Sequence, residues 1–357
     1  MSTEELVVVA ENFSRELSLA SAGKKTSLPF IAHEIPASSL VPDGETFQIL
    51  AMGGSVFLNA LLKKQRKHFH TIKRDSKNTG VFKTKESFLS FIENEIDPNV
   101  QYIALNFAYP LTPVFERGRV DGTLVMGSKE NTFDGLPGEK VGEEIEKRIF
   151  QKTGRKVTVS VANDTICLLL SGLTEVSTLD LAAGILGTGM NFAMFLDEKH
   201  VVNLEAANFD KFPQTDTGKL IDATSVSPGM ALLEKEVSGA YLYKHFNEII
   251  KRDKIDFPPL TATKELDALL DTPTSVAYPI AKMLLERSAG LIASVIAGIT
   301  LYKRRDMTFV MEGSLFWSAR YYRRNVKRTL QALIPEYTVT FIKIDDSPIF
   351  GAAKLIA

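Results

Sequence analysis

Three glycine-containing turns follow apolar stretches of this chain: AMGGS at 51–55, ILGTGMN at 185–191 and VMEGSLF at 310–316. Glycine after a strand lets backbone N–H groups approach an anion with no Cβ in the way. That makes Gly53, Gly54, Ser55, Gly187, Thr188, Gly189, Gly313 and Ser314 candidates for holding phosphate. Polar side chains stand at comparable places. Ser128 and Lys129 follow a strand-like stretch, Asn163 and Asp164 end an alternating one, and Asn191 follows the second glycine turn. Glu205 sits in NLE and Glu234 in PGMALLEK. A buried polyhydroxylated ligand needs a donor or acceptor for each hydroxyl, and this set supplies both. Taken singly, each residue reads as a cap or turn residue. Their joint pattern is what points to chemistry. Other chemistries lack their marks: there is no GxxxxGK[ST] loop, no zinc-like spacing of Cys and His, and no GxSxG elbow.

The elements that must carry these residues alternate. Helical spacing covers 3–18, 85–96 and 138–150, and strand patterns cover 46–52, 102–107, 156–162 and 181–186. An irregular stretch with Pro29, Pro36 and Pro42 separates the first helix from the first strand. VFLNALL at 56–62 runs into the basic KKQRKHFHTIKR of 63–74, which reads as a solvated hairpin edge guarded by lysines. Alternating strands and helices predict an α/β class, with a mixed sheet flanked by helices in each of two lobes. One hydrophobic core rarely serves 357 residues, so two lobes are expected. The predicted small lobe covers 45–162 plus 347–357, and the large lobe 1–44 plus 163–346.

Composition narrows the partners. With 42 basic and 43 acidic residues, the net charge of -1 offers no global field for nucleic acid or an anionic membrane. The single cysteine, Cys167, excludes an internal disulfide framework and fits a reducing compartment. It reads as a small core residue. The N-terminus has no signal-peptide pattern, and the apolar run of 288–302 is too short to span a bilayer, so a buried helix is expected there. A cytoplasmic monomer or weak homodimer follows.

The order of these motifs resembles the hexokinase family over nearly the whole chain. QILAMGGSVF is similar to its first phosphate strand and turn, and YIALNFAYP to its Ser-Phe-Pro sugar loop. The stretch from Ser128 and Lys129 through GEKVGEEIEKRI resembles the Thr-Lys loop and following helix. VANDT looks like the catalytic strand end, and LGTGMNFAMF like the second phosphate loop. SPGMALLEKEVSGAYL is similar to the Asn-Pro-Gly…Glu-Lys motif, and RSAGLIASVIAGI and MEGSLF resemble the adenosine-side helix and turn.

The resemblance implies a two-lobed actin-like ATPase fold and a kinase that uses ATP and Mg²⁺ to phosphorylate the 6-hydroxyl of a hexose, glucose before others. Asp164 would be the general base, with Lys129 offsetting charge on the phosphoryl group. Ser128, Lys129, Asn163, Asp164, Asn191, Glu205 and Glu234 would hold the sugar. Gly187, Thr188 and Gly189 would hold nucleotide phosphates, with Gly313 and Ser314 near the adenosine. Departures stand out. Ala51 replaces the Asp of the first phosphate motif, Val56 an Asn, Leu58 a basic residue, Ala108 a Ser and Ala231 a Gln. The final GAAKLIA lies inside what resembles the family's last small-lobe helix. An active hexokinase and a catalytically impaired sugar-binding or regulatory protein are therefore both expected readings, with a kinase of another sugar or phosphoryl donor as a third.

Overall fold

The structure, a computed structural model, describes residues 1–53, 56–66, 68–127 and 130–357. Its strands are β1 (Ile31–Glu34), β2 (Thr46–Met52), β3 (Val56–Gln65), β4 (His68–Asn78), β5 (Tyr102–Phe107), β6 (Leu111–Glu116), β7 (Arg119–Leu124), β8 (Thr158–Ala162), β9 (Leu181–Leu186), β10 (Met190–Phe195), β11 (His200–Asn203), β12 (Met307–Glu312) and β13 (Val339–Ile342). They form a five-stranded sheet ordered β4-β3-β2-β5-β8, a six-stranded sheet ordered β1-β11-β10-β9-β12-β13 and a β6-β7 ribbon. The chain divides into two compact units. One holds residues 1–30, 184–192 and 203–343, and the other 31–183, 193–202 and 344–357.

The second unit is built on the five-stranded sheet. β2 is antiparallel to β3 and parallel to β5, and β5 is parallel to β8, so the sheet is mixed. The sequence of β2 explains its place: TFQILAM buries six of its seven residues, as a central strand with both faces covered must. β4 is the opposite case, exposed along most of its length, and forms the basic hairpin edge expected from sequence. Phe57, Phe82, Phe88, Phe107, Tyr109 and Phe133 form an aromatic core on this sheet with tilted and edge-on ring contacts. Helix Lys85–Glu95, started by a Thr84 capping box, and helix Val141–Thr153 border it. Asp121 of β7 caps the latter helix through Gly142 N–H at 2.8 Å and Glu143 N–H at 3.0 Å. Burial still pushes the Asp121 carboxyl pKa up, because desolvation outweighs these amides.

In the first unit, the expected buried helix is longer than its apolar run. It spans Tyr278–Lys303, 26 residues. That is long and apolar enough to cross a membrane by composition, yet 83% of its most apolar window is covered by protein. The extra length comes from the half-polar turns before Ser288, where Lys282, Glu286 and Arg287 keep helical spacing. Gly290 and Gly298 let helix Thr3–Ser21 approach. A Cβ at Gly298 would stand 2.8 Å from the Ala10 carbonyl oxygen and from Phe13 Cβ. The boundaries of the alternating pattern are reproduced at β2, β5 and β9, while helix 138–150 starts at Val141 and strand 156–162 at Thr158. Lys140 accepts no side-chain cap bond, and Pro137 and Gly138 precede it in a turn rather than a helix. The proline-rich stretch also contains β1, a four-residue edge too short and polar to show in pattern.

Candidate active site

In the first unit, the glycine turn 187–189 joins β9 to β10. Gly187 N–H donates to the Gly189 carbonyl at 3.0 Å. From behind, Gly239 N–H donates to Gly187 O at 2.8 Å and Ala240 N–H to Thr188 O at 3.0 Å. A Cβ at Gly239 would lie 2.7 Å from Gly187 O, so only glycine fits there. Gly313 closes the third side with φ +108°, and its Cβ would lie 2.1 Å from Leu186 O. Thr188 and Ser314 face outward and are exposed. The turn is thus a backbone cradle fixed by two other segments. Gly313→Ala should therefore lose stability on the order of 1–3 kcal/mol from backbone strain alone. A urea midpoint giving less than about 0.5 kcal/mol, the range of neutral surface changes, would contradict this packing.

The polar cluster follows directly. The Asn191 amide oxygen accepts from Phe192 N–H at 2.8 Å and Ala206 N–H at 3.2 Å. This turns its NH₂ toward Asn203 Oδ1, 2.8 Å away, and Glu205 Oε1, 3.3 Å away. Asn203 Nδ2 donates to the same Glu205 oxygen at 2.6 Å. Asn203 is 6% exposed and was not singled out from sequence, although it begins the NLE motif that was. Its signal was a second amide two residues before the carboxylate. Glu205 sits in the left-handed region, φ 51°, a conformation costly for a non-glycine residue and concentrated at functional sites.

Glu234 reaches the glycine turn. Its Oε2 accepts from Met190 N–H at 2.9 Å, and a Cβ at Gly189 would stand 2.8 Å from that oxygen. It lies on the short helix Leu232–Val237, entered through Ala231 at φ 51°. That helix is pinned on both sides of Glu234. Buried Lys235 donates to Asp222 Oδ1 at 2.5 Å and to Ser227 O at 2.8 Å. Buried Glu236 accepts from Thr215 N–H at 2.7 Å and Thr215 Oγ1 at 3.0 Å. His245, 1% exposed, bonds Thr217 Oγ1 and Lys235 O, and burial lowers its pKa. Burial also raises the Tyr241 pKa, with the Glu234 charge acting in the same direction. Gly187, Gly189, Asn191, Glu205, Glu234 and Gly313 are therefore brought together within one unit.

In the other unit, Asn163 caps helix Asp164–Ser171 by accepting Thr165 N–H at 3.0 Å. Asp164 is half-buried at the first position, and its Oδ1 accepts Thr165 N–H at 2.7 Å and Thr165 Oγ1 at 3.2 Å. Cys167, one turn on, is fully buried, and burial pushes its thiol pKa well up, with Asp164 adding to the effect. It is a core residue. Gly53 N–H donates to Val56 O at 2.9 Å at the tip of the β2-β3 turn. Ala51, 4% exposed, pairs with Leu58 and Asn106 in the sheet, so an apolar methyl fills the position where the resembled motif carries a carboxylate. Gly54, Ser55, Ser128 and Lys129 lie outside the described residues.

The hexokinase family model matches residues 181–252 and 244–357. Hexokinase-2 of Arabidopsis thaliana is 24% identical over 403 residues, covering 89% of this chain and 80% of that protein. Hexokinase-9 of Oryza sativa subsp. japonica is 32% identical over 158 residues, 39% of this chain and 30% of the relative, so that match spans under a third of its length. Among solved structures, a hexokinase from Schistosoma mansoni complexed with glucose covers 100% of this chain with a TM-score of 0.78 at 20% identity, which establishes the fold as the two-lobed actin-like ATPase type. The family model, these relatives and the shared fold place the chain in the hexokinase family.

Proposed function

We propose that the protein transfers the γ-phosphoryl group of ATP to the 6-hydroxyl of a hexose, glucose first among them. The observation that carries this is the Asn191–Asn203–Glu205–Glu234 cluster set against a backbone cradle. Carboxylates that accept amide hydrogen bonds keep lone pairs for sugar hydroxyls, while the Asn191 and Asn203 amides supply donors. The cradle of Gly187, Thr188 and Gly189 suits phosphate oxygens, and Gly313 and Ser314 would stand beside the nucleoside. Asp164 would accept the 6-hydroxyl proton as that oxygen attacks, and Ser128, Lys129 and Asn163 would complete the sugar set. Among the described residues no group of three His, Cys, Asp or Glu side chains is placed to hold a metal ion. The chain would thus take Mg²⁺ with the nucleotide rather than in a cage of its own.

A second reading, a sugar-binding protein with impaired catalysis, is favoured by Ala51 alone. A buried methyl at that place removes charge that would orient the metal and its water. A coupled assay with ATP, Mg²⁺ and a hexose panel tests both readings. Turnover of a hexose supports the kinase; calorimetric hexose binding without turnover supports the impaired form. Ala51→Asp is expected to raise kcat by about ten-fold or more, the scale of one transition-state charge contact, if the carboxylate is what limits the rate. An unchanged kcat in folded A51D protein would refute that explanation.

A further inference from the structure

A cavity of about 1160 Å³ opens in the first unit, lined by segments from 1–6, 214–217, 278–290 and 328–332, with Ile249 and Arg252. Its size lies just above the usual range of small-molecule sites. None of the residues assigned above to hexose or nucleotide lines it. Tyr278, Met283 and Leu284 give it an apolar side, and Lys282, Arg287 and Arg328 bring positive charge. Two acids, Asp216 and Glu286, also line it, and Asp216 is already paired with Lys219 at 3.4 Å. The fourth cation, Arg252, is held by Asp253 at 2.7 Å. That leaves Lys282 and Arg328, with Arg287 held by Glu236 at 3.4 Å, facing a single unpaired carboxylate, Glu286, on the wall.

Two wall residues carry unused donors. Gln214 Nε2 and Arg287 Nη1 are buried with no hydrogen-bond partner among the described residues. Arg287 is the more telling. Its Nη2 donates to Pro213 O at 2.5 Å and approaches Glu236 Oε2 at only 3.4 Å, and desolvation lowers its pKa despite that glutamate. An under-satisfied guanidinium is costly to bury, and its planar fork is matched by a pair of phosphate oxygens. Glu236 is two residues from Glu234 on one six-residue helix. An occupant drawing on Arg287 would act on the segment that aims a sugar-binding carboxylate.

We propose that this cavity binds a small phosphomonoester with an apolar body, and that its occupancy is coupled to the hexose site through Arg287, Glu236 and Glu234. The binding half stands on the cavity alone; the coupling half rests on the hexose reading above.

The experiment is calorimetric titration of the full chain with phenyl phosphate, with inorganic phosphate and phenol as separate controls. Saturable binding of phenyl phosphate, tighter than either control, is expected. The double variant K282Q/R328Q, exposed on the rim and outside the assigned site, should weaken it at least about ten-fold, equivalent to about 1.4 kcal/mol. It should melt within the spread of neutral surface changes, so loss of binding cannot be ascribed to misfolding. Absence of saturable binding at 20 mM overturns the proposal, as does an affinity equal to that of inorganic phosphate. So does binding that K282Q/R328Q leaves intact, or that glucose or ATP abolishes by simple competition, without the finite limit that coupling between two sites sets. The binding arm needs no hexose and reads independently of the kinase assignment. With phenyl phosphate saturating, hexose affinity should shift by about five-fold or more; an unchanged affinity overturns the coupling.

Discussion

Asp164→Asn is expected to lower kcat for hexose phosphorylation by about 10²–10⁴-fold, the usual contribution of a positioned general base. The substitution is chosen because it spares the fold. Asp164 begins helix Asp164–Ser171, and its Oδ1 accepts from both Thr165 groups. An asparagine oxygen accepts the same two bonds, and Asn163 still caps the helix. The capacity to take a proton is lost. The melting temperature should stay within a degree or two of the parent, since about 1 kcal/mol corresponds to several degrees in a small domain. Steady-state rates and differential scanning calorimetry on one preparation make the test. A kcat within ten-fold of the parent, with melting unchanged, would show that another group removes the proton.

The second large effect concerns stability. Gly351 lies in helix Ser347–Ala353, and a Cβ built on it would stand 1.7 Å from the Cys167 carbonyl oxygen and 2.5 Å from its carbon. Both are backbone atoms of the helix that starts at Asp164, so no side chain can rotate aside. Gly351→Val must separate the two helices, which costs about 1–3 kcal/mol or more, as overpacking does. Because the displaced helix carries Asp164, kcat should fall together with the urea midpoint. Gly80→Ala is the control: its Cβ would meet nothing closer than Phe82 at 3.8 Å, and stability should hold within about 0.5 kcal/mol. A G351V protein as stable as G80A would show that the helices are not in contact as described.

Much of this was legible in the sequence. β2, β5 and β9 begin and end where their apolar runs do, because buried strands leave no ambiguity of phase. The glycine turn after β9 and the carboxylates at 205 and 234 were readable as types at spacings. What joins them was not. Nothing local says that Gly239 must be bare because Gly187 O lies 2.7 Å away, or that Met190 N–H is satisfied by a side chain 44 residues on. The β6-β7 ribbon was also missed. Its turn, Arg117 and Gly118, has positive φ at both positions, as a tight hairpin needs, but Pro113 inside β6 weakens the strand pattern. Asn203 escaped notice because a buried amide looks like any polar residue until its two partners are in place.

The packing of helix Thr3–Ser21 on helix Tyr278–Lys303 has a consequence for how the chain is made. Ser294 Oγ donates to Leu6 O across 288 residues of sequence. Leu6, Val9, Phe13 and Leu17, all buried in the finished protein, emerge from the ribosome before the helix that packs on them is made. At typical elongation rates their partner follows roughly 15 to 60 s later. For that interval the first helix is a greasy surface without its native cover on a growing polypeptide, the kind of surface that sticks to others like it.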